Sequence, residues 1–198
     1  MQRELMLTGI GGQGVQLAAK TLAMAAVAEE RHAMLLGSFA GAMRGGQTDA
    51  SVVVGDTPLR ALPKLPSAWS ALIMHPDYWS DTRDRIRHGG VIVVNSNLMP
   101  DTVGRDDCQI FPIPAGTLAI EAGAPLGAAY VALAAYATIT GVVSLDALIA
   151  AMRELVPPYR TQHLIGNEAA LRAGAAAAPA LAAPAWTTNQ TATAGVAT

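Results

Sequence analysis

Two glycine-rich segments near the N-terminus contain the residues best suited to bind a ligand. The first is Gly9-Ile10-Gly11-Gly12-Gln13-Gly14, and Arg44-Gly45-Gly46-Gln47 follows about thirty residues later. A tight glycine turn ahead of a helix leaves backbone N–H groups free, and together with the helix dipole they favour a phosphate or another anion. A guanidinium also suits carboxylate or phosphate. The pair therefore predicts a polar, anion-tolerant crevice formed by Gly9, Gly11, Gly12, Gln13, Gly14, Arg44, Gly45 and Gly46.

The first segment also matches the G-x-G-x-x-G pattern of dinucleotide-binding turns. That fingerprint requires a carboxylate roughly 20 residues later to hold a ribose, whereas Met34-Leu35-Leu36-Gly37-Ser38 contains no acid, and no arginine for a 2′-phosphate. Binding of NAD is therefore disfavoured. Two other interpretations stay open: the glycines allow close packing of helix on strand, or, as we favour, the turn faces a bound anion or a neighbouring subunit. Arg44 is equally suited to a salt bridge across a subunit interface.

Other polar residues give weaker signals. The segment Asn95-Ser96-Asn97 follows the clearest strand, where ligands of α/β proteins bind, although a plain turn has the same composition. Cys108 has no evident activating partner. No pair of histidines has the helical spacing of a metal site, the four being His32, His75, His88 and His163. We therefore assign neither a catalytic residue nor a metal ligand to this chain.

Composition narrows the class of protein. The chain has 198 residues, of which 52% are hydrophobic and 14% charged, with a net charge of −2. So few charges indicate a surface partly covered by partner subunits, or else a core built of small residues. The net charge gives no basic footprint for nucleic acid. A single cysteine excludes a disulfide framework, an iron–sulfur cluster and a cysteine-based zinc site within this chain.

The apolar segments predict neither export nor membrane insertion. Met1-Gln2-Arg3-Glu4 leads directly into an apolar strand and lacks the pattern of a signal peptide. The longest apolar stretch, 128–143, is interrupted by tyrosines and threonines, and it falls short of the roughly 18 uninterrupted residues of a transmembrane helix. We expect a cytoplasmic protein that makes no contact with a membrane.

Strand-like and helix-like segments alternate along the chain. Short apolar or β-branched runs predict strands at 5–8, 32–36, 50–54, 71–74, 91–94 and 109–113. Helices are expected at 16–30, 78–87, 117–122, 128–140, 145–156 and 163–173. This order predicts an α/β fold with a mostly parallel, Rossmann-like sheet, helices on both faces and a helical C-terminal part. We expect one domain over 1–174 and a flexible or extended tail rich in Ala, Pro and Thr over 175–198.

The two glycine segments together resemble a known family. Gly9 to Val15, the Ala-rich helix that follows, and Arg44-Gly45-Gly46 ahead of a strand are similar to the gamma subunit of 2-oxoacid:acceptor oxidoreductases, over roughly residues 4–174. This family includes the pyruvate, 2-oxoisovalerate, 2-oxoglutarate, indolepyruvate and arylglyoxylate enzymes. Asp56-Thr57-Pro58-Leu59, and Asn167 ahead of Gly174, also fit the family. The chain departs from it before Arg44, where Ala40 replaces the tyrosine of a frequent Pro–x–Tyr–Gly run.

The resemblance implies an accessory, non-catalytic subunit of a multi-subunit enzyme. That enzyme would oxidatively decarboxylate a 2-oxoacid to an acyl-CoA and pass electrons to ferredoxin, or to a flavin or NAD subunit. Thiamine diphosphate and Mg²⁺ would lie on alpha and beta subunits, and [4Fe-4S] clusters on beta and delta-type subunits. Coenzyme A is the anion that we would place near the glycine turn. The alternatives are a stand-alone nucleotide-binding or regulatory α/β module and, less favoured, an NAD(P)-dependent dehydrogenase.

Overall fold

A single six-stranded sheet forms the centre of the protein. The computed structural model describes residues 1–39, 45–60, 65–99 and 103–186, so that Ala40 and Arg44 lie outside the described residues. The strands stand in the order β2-β3-β1-β4-β5-β6. Their bounds are Gln2–Ile10 (β1), His32–Phe39 (β2), Gln47–Gly55 (β3), Ala68–Ile73 (β4), Ile86–Asn95 (β5) and Gln109–Ile113 (β6).

Five of these six strands run in the same direction. Parallel pairs join β1 to β4, β4 to β5 and β5 to β6, while β3 is antiparallel to both β1 and β2. The central strands are buried on both faces, as Ile92 and Val93 show with 0% exposure each; such strands read as continuous apolar runs. The carboxyl ends of β1, β4 and β5 therefore meet at one edge of the sheet, where α/β folds bind ligands.

Helices cover the two faces unequally. The larger core joins one face of the sheet to α1, α3, α4, α5 and α6, and the smaller one joins the other face to α2 and its connections. The predicted α/β fold is confirmed, with most of its helices on one side. No helix among the described residues is both long and apolar enough to cross a membrane. The helices are Val15–Ala28 (α1), Trp79–Arg83 (α2), Ala115–Glu121 (α3), Ala128–Thr140 (α4), Leu145–Leu155 (α5) and Leu164–Ala176 (α6), with short 3-10 segments at Pro76–Tyr78 and Pro158–His163.

The helical layer is built around α4, which is almost entirely buried. Helix α6 crosses α4 at Gly174. A Cβ atom at this position would collide with the carbonyl group of Val131, because it would lie 2.7 Å from the carbonyl carbon and even closer to the carbonyl oxygen. Only a residue without a side chain permits this approach. Gly174 therefore sets the distance between the two helices.

Residues beyond the predicted boundary at 174 also pack onto α4. Helix α6 continues to Ala176, and the segment after it supplies backbone donors to the last carbonyl groups of α4, which have no partner inside that helix. These bonds are Leu181 N to Thr138 O (2.9 Å), Ala183 N to Ile139 O (3.1 Å) and Ala185 N to Thr140 O (2.6 Å). The packed part of the chain thus extends to Trp186, whose ring stacks on the guanidinium of Arg31 at 3.9 Å. Residues 187–198 lie outside the described residues.

An ion pair fastens the connection between β5 and β6. Arg105 donates from Nε and Nη2 to the carboxylate of Asp107 (2.7 and 2.8 Å) and from Nη2 to the carbonyl of Ile86 (2.7 Å). The guanidinium of Arg105 lowers the pKa of Asp107 to about 2.

This lowered pKa predicts that the free energy of unfolding decreases over a limited range of acidic pH. A carboxyl group whose pKa is depressed by folding stabilises the protein above its unfolded pKa of about 3.9, and that stabilisation is lost as the pH falls through the folded value. We expect Asp107→Asn to flatten the dependence of the free energy of unfolding on pH between about pH 4 and pH 2, as measured by urea denaturation. The exposed neighbour variant Asp106→Asn is the control, and an equal flattening there would contradict the assignment.

Candidate ligand-binding site at the glycine turn

The structure brings the two glycine segments together. Gly11 N donates to Gly46 O (2.8 Å) and Gly45 N donates to Gly11 O (3.4 Å). The register of β1 and β3 causes this contact, because Ile10 lies opposite Gln47 and each glycine segment joins its strand at that end. The residues that the sequence analysis grouped therefore lie side by side, except for Arg44, which falls outside the described residues.

The inner half of the turn is used for packing. Gln13 Oε1 accepts a hydrogen bond from Ile10 N (3.0 Å), and its Nε2 donates to Met74 O at the end of β4 (3.3 Å). A Cβ atom on Gly9 would lie 2.7 Å from Gln13 Oε1 and 3.0 Å from Met74 Cβ. The packing interpretation of the glycines therefore applies to Gly9, and Gln13 pins the turn against β4 rather than projecting into solvent.

The outer half of the turn is open. Gly12 and Gly45 have φ values of +102° and +82°, and a Cβ atom on either would have no described atom within 4 Å apart from its own chain neighbours. Gly14 is the N-cap of helix α1, and no side-chain hydrogen bond caps the first turn. The first N–H groups of a helix lack intrahelical partners, and these together with the dipole attract an anion. The outer half thus has the space and the backbone donors that an anion requires.

A buried amide lies at the same edge of the sheet. Asn95, at the end of β5, is 3% exposed, and its Nδ2 donates weakly to Met74 O (3.5 Å). Its Oδ1 has no hydrogen-bond partner among the described residues. An orphaned buried oxygen calls for a water molecule or a ligand group. Of the two asparagines in the segment 95–97, Asn95 is therefore the one whose side-chain oxygen is left without a partner among the described residues.

A carboxylate in this region lies on the other side of the sheet. Asp49 faces Thr8 across β3 and β1, and the alternation of side chains along a strand places both on the face of Met6, opposite α1. Burial raises the pKa of Asp49. The hydrogen bond of 2.7 Å that its carboxylate accepts from Gln47 Nε2 opposes this rise but does not cancel it. The acid is therefore separated from the first turn of α1 by the sheet.

The remaining candidates have structural roles. His75 Nδ1 accepts from Asp77 N (3.3 Å) and starts a short 3-10 turn. Asn97 Oδ1 accepts from Gly116 N (2.8 Å) at the start of α3. Burial raises the pKa of the Cys108 thiol, which disfavours the reactive thiolate. In the four described ranges, no group of three or more His, Cys, Asp or Glu side chains is arranged to hold a metal ion.

Comparison with known proteins places the chain in a family. Residues 4–177 match the family model described as pyruvate ferredoxin/flavodoxin oxidoreductase. The chain belongs to this family. A 2-oxoglutarate synthase subunit KorC of Methanocaldococcus jannaschii is 30% identical over 160 residues, covering 79% of this chain and 85% of the relative. A pyruvate synthase subunit PorC of Methanothermobacter marburgensis is 28% identical over 157 residues, covering 78% of this chain and 86% of the relative.

Solved structures agree with this assignment. The gamma subunit of a keto/oxoacid ferredoxin oxidoreductase from Geobacter sulfurreducens PCA superposes with a TM-score of 0.75 at 26% identity, covering 89% of this chain and 96% of that one. The predicted resemblance is confirmed: this member of the pyruvate ferredoxin/flavodoxin oxidoreductase family is a gamma-type subunit. The same fold forms 31% of a longer chain, the 2-oxoglutarate:ferredoxin oxidoreductase of Magnetococcus marinus, with a TM-score of 0.78, 89% of this chain covered and 19% identity.

Proposed function

We propose that this gamma-type subunit is a non-catalytic part of a cytoplasmic, thiamine diphosphate-dependent complex. The complex would decarboxylate a 2-oxoacid oxidatively, form an acyl-CoA and pass electrons to ferredoxin, or to a flavin or NAD subunit. Support comes from the relatives, whose names are 2-oxoglutarate synthase and pyruvate synthase subunits. The structure from Magnetococcus marinus was solved with 2-oxoglutarate, coenzyme A and succinyl-CoA bound.

The donor groups of this chain indicate which cofactors other subunits hold. A [4Fe-4S] cluster takes four cysteine thiolates, whereas the whole chain has one cysteine. The clusters must therefore lie on other subunits, which the family resemblance implies are of beta and delta type. Thiamine diphosphate with its Mg²⁺ is assigned to the alpha and beta subunits. The gamma-type subunit would then form part of the wall of an active site whose redox cofactors are bound by the neighbouring subunits.

The glycine turn is proposed to face the phosphates of coenzyme A. One observation supports this most: the first turn of α1 has no capping side chain, and Gly12 and Gly45 beside it leave open space. The orphaned Oδ1 of Asn95 would accept from a water molecule or from a donor group of the ligand. Coenzyme A bound here would supply the thiol that accepts the acyl group, while this chain would hold its phosphates through backbone N–H groups.

The same geometry also suits a free nucleotide. A glycine turn before a helix binds phosphate whichever molecule carries it, so the alternative is a stand-alone nucleotide-binding or regulatory module. The two functions differ in their partners, because only the first requires larger thiamine diphosphate-binding subunits.

Native co-purification from the cell's own cytoplasm separates these functions. We expect larger subunits with bound thiamine diphosphate and iron–sulfur clusters to accompany this chain, and the preparation to oxidise a 2-oxoacid only when coenzyme A is present. Identified co-purifying proteins, cofactor assays and acceptor reduction give the readout. Recovery of the chain alone, without a thiamine enzyme, would refute the proposed function, and the glycine turn should then be titrated with nucleotides.

A further inference from the structure

A second cleft lies in the helical layer, away from the sheet. It has a volume of about 300 Å³ and is formed by α1, α4, the end of α5, and the 3-10 segment that leads into α6. Most of its lining is apolar and includes Leu17, Leu155 and Val156. A concave, mostly apolar cavity of this size with a few convergent polar groups is typical of small-molecule sites.

One of those polar groups is buried without a partner. Tyr130 lines the cleft and is 4% exposed, and its hydroxyl has no hydrogen-bond partner among the described residues. The hydroxyl of Thr21 lies beside it, donates to Leu17 O at 2.8 Å, and slightly offsets the effect of burial on the pKa of Tyr130. Burial raises the pKa of Tyr130, so that the phenol keeps its proton and remains a donor. The hydroxyl oxygen itself is closed to solvent, so that the ring of Tyr130, and not its hydroxyl, borders the cleft.

An arginine and a histidine stand at the mouth of the cleft. Arg160 and His163 line it and are exposed, so that they lie at its mouth while Tyr130 lies deeper. Arg160 makes no ion pair within the part of the chain that the structure describes, and no carboxylate lines the cleft. The amide of Asn167 adds a neutral donor and acceptor. A guanidinium with an amide nearby recognises an anion, either a carboxylate or a phosphate.

We propose that this cleft binds a small anion carried on a compact apolar skeleton. The skeleton lies against Leu17, Leu155 and Val156, and the anionic group reaches Arg160 and His163. The ring of Tyr130 forms part of the apolar wall. The cleft differs from the glycine turn, since side chains rather than backbone N–H groups provide its polar contacts.

Probe molecules of matched shape test this on the full-length chain. Phenylacetate and phenyl phosphate carry the two kinds of anion on one apolar ring, and benzyl alcohol is the uncharged match. We expect both anions to bind one site with a Kd of roughly 1 mM or tighter, as ligands of about ten non-hydrogen atoms allow. Benzyl alcohol is expected to bind at least about tenfold more weakly, the difference being the charge-assisted hydrogen bond. Calorimetric titration gives the affinities, and their order shows whether a carboxylate or a phosphate is preferred.

Two variants localise the site. Asn167→Ala removes an amide that lines the cleft, so the chain should still fold and should bind both anions about two- to fivefold more weakly. Arg160→Gln should weaken the anions by about tenfold or more while leaving benzyl alcohol unchanged. Arg172→Gln is the matched control, because that arginine pairs with Glu168 outside the cleft and its loss should leave the affinities unchanged.

The outcomes separate clearly. Saturable binding that falls in both cleft variants and persists in Arg172→Gln supports the site. Absence of saturable binding, or equal affinities in all four proteins, overturns it. Both readouts use the full chain without redox assays, so that they are independent of whether the proposed oxidoreductase function holds.

Discussion

Replacing Gly174 with alanine is expected to lower the free energy of unfolding by about 2–4 kcal/mol. The added methyl group would meet the backbone of Val131 in α4, which cannot turn aside as a flexible side chain can. Either α6 moves away from α4 or the helices separate, and the buried residues between them lose contacts in both cases. Urea denaturation followed by circular dichroism measures the change.

Gly166→Ala is the matched control, in the same helix. A Cβ atom there would lie 3.3 Å from both Ala124 Cβ and Gly123 O, which is tight but not a collision. Alanine also favours the helix by roughly 0.5–1 kcal/mol, so that the net change should stay within about 1 kcal/mol. If the Gly174 variant were as stable as the control, the close crossing of α4 and α6 would be wrong.

Placing a carboxylate in the glycine turn should impair the use of coenzyme A. Gly12 has φ +102° and open space around it, and aspartate and asparagine tolerate positive φ better than most residues. Gly12→Asp and Gly12→Asn therefore carry similar backbone strain and differ in one charge. Two like charges about 4 Å apart repel by about 1–4 kcal/mol near a protein surface. We expect the KM for coenzyme A of the assembled complex to be at least about tenfold higher with aspartate than with asparagine.

The pair of Gly12 variants also tests the competing interpretation of the turn. Equal KM values in two assembled complexes would show that no phosphate approaches Gly12. Loss of assembly in both variants, measured by size-exclusion chromatography, would instead indicate that the turn packs against a neighbouring subunit.

Elements with an unambiguous pattern are where the sequence predicted them. Helix α4 and strand β6 have the predicted bounds, Ala128–Thr140 and Gln109–Ile113, because each is an apolar run with turn residues at its ends. Ser144 accepts from Ala147 N (3.1 Å) and caps α5 as its type and position indicate.

The elements whose bounds or direction the sequence did not predict are set by pairing between strands that lie far apart in the sequence. The polar segment 78–87 was expected to be one helix, but the helix α2 ends at Arg83 and β5 begins at Ile86. Ile86 pairs with Ala68 of β4, a contact that local propensity does not reveal. The antiparallel direction of β3 could not be predicted either, because the spacing of apolar residues does not indicate the direction in which a strand runs.

The two candidate sites differ in how far the sequence could predict them. The glycine turn is a local motif, and the pairing of β1 with β3 joins its two segments. The cleft draws Tyr130, Arg160 and His163 from elements separated along the chain. No local pattern in the sequence connects these residues, and only the folded chain brings them to one cleft.

The hydrogen bonds from Leu181, Ala183 and Ala185 to the end of α4 have a consequence for biosynthesis. The last carbonyl groups of α4 gain these partners only after residue 185 has left the ribosome, so that the end of this buried helix is completed late in synthesis. A linker to a following domain should begin after the position of Trp186, and a junction placed at residue 174 would leave α4 unfinished.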